Sequence, residues 1–207
     1  MQPKWLLWVR ELQAVAQSGL TYSENPYDRE RYENMRKLAA KIMAEGSGAD
    51  LSVIEGLFAA QSGYATPKVD VRAAIFRERN VLLVSETADH GRWTLPGGWA
   101  DVNESPSENV AREAREEAGL VVTVRKLAAV YDRDKSGHPQ PHPFHIYKLL
   151  FLCDIVGECE RSELETGDAR FFSIDALPEL SESRVLPWQI QRLYEHVLTP
   201  FLPTDFN

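Results

Sequence analysis

The residues of this 207-residue chain whose types and spacing could do chemistry lie mostly in one stretch, Leu95 to Leu120, LPGGWADVNESPSENVAREAREEAGL. Glu113, Glu116 and Glu117 stand at i, i+3 and i+4, so on a helix they are neighbours on one face. Like charges so placed cost a helix about 0.2–0.5 kcal/mol per pair unless something neutralises them. A hard divalent cation does that, and all-oxygen ligands of this kind suit Mg²⁺, with Mn²⁺ as the alternative. Gly97 and Gly98 let the backbone turn and approach a ligand closely, so a backbone carbonyl there can join the ligand set. Arg112 is placed to pair with Glu104 or Glu116 and hold a carboxylate still.

A helix must present those carboxylates, and its punctuation is complete: Ser105 as cap, Pro106 in first position, Glu108 closing a capping box and Gly119 as the stop. Val110, Ala111, Ala114 and Ala118 fall on the opposite, apolar side. Around this helix the pattern predicts short strands at Val69 to Phe76 and Val81 to Val84, joined by a polar turn at 77–80. Further strands are expected at Val121 to Val130, Phe144 to Ile155 and Arg170 to Ser173, with a closing helix over Val185 to Leu198. Strands flanked by helices imply an α/β layered domain.

Ahead of it, three helices are expected. The first carries Trp5, Trp8, Val9, Leu12, Val15 and Ala16 on one stripe and ends near Gly19. The second is capped by Asn25 and runs through Tyr32, Met35, Leu38, Ala39 and Ile42 to Gly46–Gly48. The third is capped by Asp50, with Val53, Ile54, Leu57 and Phe58 inward, and stops near Gly63. The boundary falls at Thr66 and Pro67, giving a small all-α unit over 1–65 and an α/β domain over 66–207.

From Gly98 onward, the spacing of Glu104, Arg112, Glu113, Ala114, Glu116, Glu117, Gly119 and Leu120 matches every defined position of the box Gx5Ex7REUxEExGU, where U is aliphatic. Ala114 is small for its position, and Asn103 stands where glycine is frequent. The chain thus resembles the Nudix hydrolase superfamily. The resemblance implies an α/β/α sandwich around a mixed sheet. It also implies Glu113 and Glu117 as metal ligands with the Gly97 carbonyl, Glu116 as a ligand or water-positioning group, and Arg112 and Glu104 in support. The order NPYDRERY, VDVRAAIF, LPGGWADV, YKLLFLC and ARFFSIDALPELSESR is similar to the subgroup with a helical N-terminal extension. That subgroup implies Mg²⁺-dependent hydrolysis of ADP-ribose, CDP-choline or related nucleoside diphosphate conjugates, and a homodimer. A nucleoside triphosphate pyrophosphohydrolase and a ligand sensor without catalysis are the rival readings.

Many family members add a glutamate beyond the box, and Glu165 is preferred over Glu163 for that role. Arg72 is expected either at a substrate phosphate or in an ion pair; Trp99, Tyr131 and Phe144 either stack on a base or fill the core. His138, His142 and His145 are expected in a kinked loop over the substrate mouth. A net charge of −8 and a pI near 5.2 argue against a nucleic acid polymer as partner, which needs clustered cations. No apolar run reaches the roughly 20 residues of a membrane span, and the expected compartment is the cytoplasm, with Cys153 and Cys159 as thiols.

Overall fold

The computed structural model describes residues 3–161 and 166–207. It divides into two compact units, Met1–Lys68 with Pro141–His145, and Val69–Gln140 with Ile146–Asn207.

The first unit holds α1 (Lys4–Tyr22), α2 (Pro26–Ser47) and α3 (Leu51–Ala59). The Asn25 side chain accepts from the backbone amides of Tyr27 and Asp28, and Asp50 does the same for Ser52, so two of the orphan helix ends are closed by the residues expected to cap them. The core consists of Leu6 and Val9 from α1, Ala39, Ala40 and Met43 from α2, and Ile54 and Phe58 from α3. The expected stripe holds in part: Val9 and Ala16 are buried with Leu6 and Gln13, and Trp5 and Leu12 pack against the core, whereas Trp8 is 60% exposed, and Val15 and, on α3, Val53 are also exposed. Helix α1 is apolar on two sides, and periodicity alone cannot say which side its neighbours take. Its helical turns also run three residues past Gly19.

The second unit is built on a seven-stranded mixed sheet among the described residues: β1 (Lys68–Arg77), β2 (Asn80–Glu86), β3 (Arg92–Thr94), β4 (Leu120–Asp132), β5 (Ile146–Glu158), β6 (Thr166–Ser173) and β7 (Asp205–Phe206). The order is β3-β2-β1-β5-β4-β7, with β6 on the other side of β2; β7 runs parallel to β4. Strands β1 and β2 form the expected hairpin, closing with Arg77 opposite Asn80. The short strands β3 and β7 carry too few residues for a pattern to show.

Alternation along the strands sends side chains to two cores. Val71, Ala73, Ile75, Leu82, Phe151 and Cys153 face one side, against Val110 and Ala114 of α4 (Pro106–Ala118). Ala74, Val81, Leu83, Leu150 and Leu152 face the other, against Ile190 and Leu193 of α5 (Pro187–Leu198). Helices on both faces make this the α/β/α sandwich.

Candidate active site

Helix α4 forms where its caps require. The Ser105 side chain accepts from Glu108 N, the Glu108 carboxylate accepts from Ser105 N, and Gly119 adopts the left-handed conformation that ends the helix. The preceding loop does not bulge freely. It runs beside the first half of β1, with Ala73 N donating to Pro96 O, Val71 N to Gly98 O and Ala100 N to Val69 O. Gly97 sits at φ +139, and a Cβ there would lie 2.0 Å from the Val71 carbonyl oxygen, so only glycine lets the loop run this close to the strand.

This close approach brings loop and helix together at one carboxylate. Gly97 N donates to Glu117 Oε2 at 2.7 Å, and the nearest group to Gly98 Cα on its open side is the Glu113 carboxylate. Glu113 and Glu117 are therefore buried, not solvated, although the helix face reads as polar. Burial pushes the Glu117 pKa up to about 7, with Glu113 and Glu86 adding to the rise and Arg72 and the Gly97 amide opposing it. Burial likewise raises Glu113, against the pull of Arg112. Two carboxylates that resist ionisation beside the third, Glu116, form a donor set short of positive charge. Its oxygen chemistry fits a hard divalent cation.

Arg112 is the fixed cation of the cluster, and all five of its N–H groups are used. Nε donates to Glu104, Nη1 to Glu113 and Glu116, and Nη2 to Asp101 and Asn109, at 2.7 to 3.0 Å for the shortest contact with each. The expected alternative, Glu104 or Glu116, resolves as both. Its guanidinium pKa rises despite partial burial, because Glu104 and Glu116 bond it. Sequence reasoning missed Asp101 and the wholly buried Asn109. The Asn109 side chain accepts from Asp101 N and donates to Asp101 O, pinning the loop onto the helix. Its position four residues before Glu113, one turn away on the same face, was the available signal.

Other expected residues lie elsewhere. Arg72 is in the ion pair: Nε and Nη2 bond Asp70, and Nη1 donates to Leu95 O in the chain leading into the box loop. Tyr131, expected either against a base or in the core, belongs to the core on the α5 side. Its ring lies 5.3 Å from that of Trp188 and its hydroxyl donates to Asp205, which also takes Arg192 and His196. Burial and the Asp205 carboxylate raise its pKa, so it stays a neutral phenol held by the C-terminal strand. Trp99 is about half exposed beside Asp70, across an isolated β-bridge. The three histidines separate: His138 is buried in the sheet unit with Nδ1 2.6 Å from Glu182 O, while His142 and His145 belong to the helical unit. Glu163 and Glu165 lie outside the described residues.

Comparison with known proteins agrees with this geometry. Residues 66–192 match the model of the NUDIX domain, and residues 3–58 that of a UDP-X-like, N-terminal oligomerisation domain. A Bacillus subtilis (strain 168) protein, provisionally named the ADP-ribose pyrophosphatase YjhB, is 42% identical over 207 residues, covering all of this chain and 99% of its own. An ADP-ribose pyrophosphatase of Methanocaldococcus jannaschii is 34% identical over 127 residues, 57% of this chain and 69% of its own. Among solved structures, a UDP-X diphosphatase aligns with TM-score 0.63 and 32% identity over 98% of both chains. An ADP-ribose pyrophosphatase from Streptococcus suis 89-1591 aligns with TM-score 0.62 and 38% identity over 69% of this chain and all of that one. A capped helix with buried glutamates, a glycine loop threaded against β1 and a family match over most of the chain converge on one assignment: this chain belongs to the Nudix hydrolases and is a pyrophosphohydrolase of that family.

Proposed function

We propose that the chain is a Mg²⁺-dependent pyrophosphohydrolase that cleaves the diphosphate of a small nucleoside diphosphate derivative, of the ADP-ribose or CDP-choline type. The observation that carries this reading is the Glu117 carboxylate, held by the Gly97 amide and pushed up to about 7 by burial and neighbouring carboxylates, a group arranged to receive positive charge. Support for the substrate class comes from relatives named for ADP-ribose and UDP-X.

In this reading Glu113, Glu116, Glu117 and the Gly97 carbonyl hold the cation, and Arg112 with Glu104 keeps the carboxylates in register. What Mg²⁺ contributes at such a set is neutralisation of phosphate oxygens and a lower pKa for water. A carboxylate, Glu116 or Glu165, orients the attacking water and takes its proton. The water oxygen bonds to phosphorus as the anhydride P–O bond breaks, leaving a nucleoside monophosphate and a phosphorylated second product.

The helical unit is proposed to join two copies of the chain. Trp8, Leu12, Val15 and Met35, with Glu11, line a groove of about 350 Å³ along α1 and α2, in which Trp8 and Val15 are exposed and Leu12 reaches the core of the unit. Exposed apolar surface of this kind marks an interaction face, and a self-complementary contact closes as a dimer. The matching domain description names oligomerisation.

The direct test is a screen of nucleoside diphosphate sugars, alcohols and dinucleotides, plus nucleoside triphosphates, with Mg²⁺ or Mn²⁺ and products read by mass. Nucleoside monophosphate plus a phosphorylated partner is the expected outcome. Pyrophosphate released from triphosphates alone would replace the proposed substrate class.

A further inference from the structure

The face of the sheet that packs on α5 does not remain apolar along its whole length. Asp70 and Arg72 alternate in step with Ala74, and Lys148 in step with Leu150 and Leu152, so all three side chains stand on the same face as the α5-side core. Each is at least 94% buried. Lys148 Nζ donates to Asp70 Oδ1 at 2.6 Å, while Arg72 already holds both Asp70 oxygens through Nε and Nη2. The Asp70–Arg72 pair is complete without the lysine, so adding a second buried cation to it costs desolvation with no unpaired carboxylate to satisfy.

Three cations gather here. Arg133 is also buried and close enough to Lys148 to act on it electrostatically, and its own acid, Asp134, lies 3.9 Å away. Arg133 stands against Asp134, and Arg72 against Asp70 with Glu113 and Glu117 in reach, so Lys148 is the cation of the three that shares its acid with another. An ammonium has three N–H donors, and among the described residues Lys148 has one hydrogen-bond acceptor, Asp70. Burial lowers its pKa to about 8 in spite of Asp70. Asp70 shows the complementary effect: burial raises its pKa, but two cations together outweigh that and hold it near 2. The carboxylate is oversupplied with positive charge and the lysine undersupplied with negative charge.

The cluster adjoins the box loop. Arg72 reaches Leu95 O, two residues before Gly97, and Asp70 bridges to Trp99, two residues after it. Arg72 is also close enough to Glu113 and Glu117 to be stabilised by them. Arg72, which shares Asp70 with Lys148, therefore joins the lysine to the carboxylates of the box.

We propose that Lys148, flanked by Arg72 and Arg133, is an anion-binding group that donates to a non-bridging oxygen of the substrate's diphosphate. This assignment rests on the reading of the chain as a diphosphate hydrolase. It makes Lys148 a substrate-binding residue and leaves Arg72 to position the loop.

The test is calorimetric titration of the full-length protein with methylenediphosphonate, a diphosphate that water does not cleave, in EDTA. Wild type is expected to bind, and Lys148→Met to bind at least about tenfold more weakly, a difference of about 1.4 kcal/mol. Its melting temperature should be kept or raised, because the Asp70–Arg72 pair is left balanced. Unchanged affinity in a folded Lys148→Met, or no binding by wild type, overturns the proposal. A lower melting temperature with unchanged affinity identifies the lysine as structural. Should Lys148→Met fail to fold, the ¹⁵N resonance of the wild-type Lys148 ammonium decides: a shift on adding the diphosphonate supports the assignment, and none overturns it. The two readings fail separately. If no diphosphate derivative is hydrolysed but the lysine still governs diphosphonate binding, the proposed function falls and the anion site stands. If hydrolysis proceeds while Lys148→Met binds like wild type, the anion site alone falls.

Discussion

On α4 one arginine serves four carboxylates, Asp101, Glu104, Glu113 and Glu116; on the sheet face nearby, one carboxylate serves two cations, Arg72 and Lys148. The first cluster is short of positive charge and the second short of negative charge. Neither imbalance is a feature of a folding core, where buried charges are paired because an unpaired one costs several kcal/mol. Linked through Arg72, they fit the two halves of a ligand carrying cations and phosphates together.

The comparison can be broken at the sheet cluster with the largest expected effect. Asp70→Asn removes the one acid from two buried cations and should destabilise the protein by about 3–5 kcal/mol, read from urea unfolding. A loss below about 1 kcal/mol would mean that water already compensates these cations.

At the acidic cluster the consequence should appear in chemistry, not stability. Glu117→Gln is expected to keep the circular dichroism spectrum and melting temperature, since it removes a buried carboxylate that resists ionisation. Turnover with Mg²⁺ should fall about 10²-fold or more, about 2.7 kcal/mol on the barrier. Near-normal turnover would remove Glu117 from the cation site.

Arg112→Gln sharpens the contrast between the regions. With no guanidinium, the buried Glu113 and three more exposed acids repel one another, and the metal-free protein should lose about 1–2 kcal/mol. Added Mg²⁺ should recover most of that loss, because it replaces the missing charge. An equal loss with and without Mg²⁺ would show that Arg112 serves only as a loop clamp.

The smallest effect is in pH. Glu117 titrates near 7, so below that value a cation must displace a proton from it, and above it the carboxylate is already ionised. Affinity for Mg²⁺ should fall as pH drops through 7, by at most about tenfold per unit for one proton. Calorimetry in buffers of different ionisation enthalpy should detect proton release near pH 6 and little at pH 8.5.

Local rules made part of this molecule legible in the sequence. The caps at Asn25, Asp50 and Ser105, the stop at Gly119 and the hairpin at 77–80 depend on residues within a few positions of one another, and short-range chemistry decides them. The grouping of Glu113, Glu116 and Glu117 follows from the helical repeat in the same way. Their burial does not: the loop that covers them is held by Val71 and Ala73, more than twenty residues earlier. The burial of Lys148 against Asp70 was invisible, since it depends on β1 and β5 becoming neighbours. The inward side of α1 is legible in part: Trp5, Val9, Leu12 and Ala16 turn to the core, but the exposure of Trp8 and Val15 is settled only when α2 and α3 choose a side. The choice for Tyr131 between a ligand and the core stays open in the sequence because nothing near it in the chain announces Asp205, its partner.

Every partner in the Arg112 hub lies within eleven positions of the arginine, whereas the Lys148–Asp70 contact closes a separation of 78. Loop closure costs entropy that grows with length, and non-local contacts are the slow ones to form. The acidic half of the site should therefore be organised as soon as α4 and its loop condense, while the basic half waits for the sheet to assemble around β1 and β5. During refolding the chain would then acquire affinity for a divalent cation before it acquires affinity for an anion.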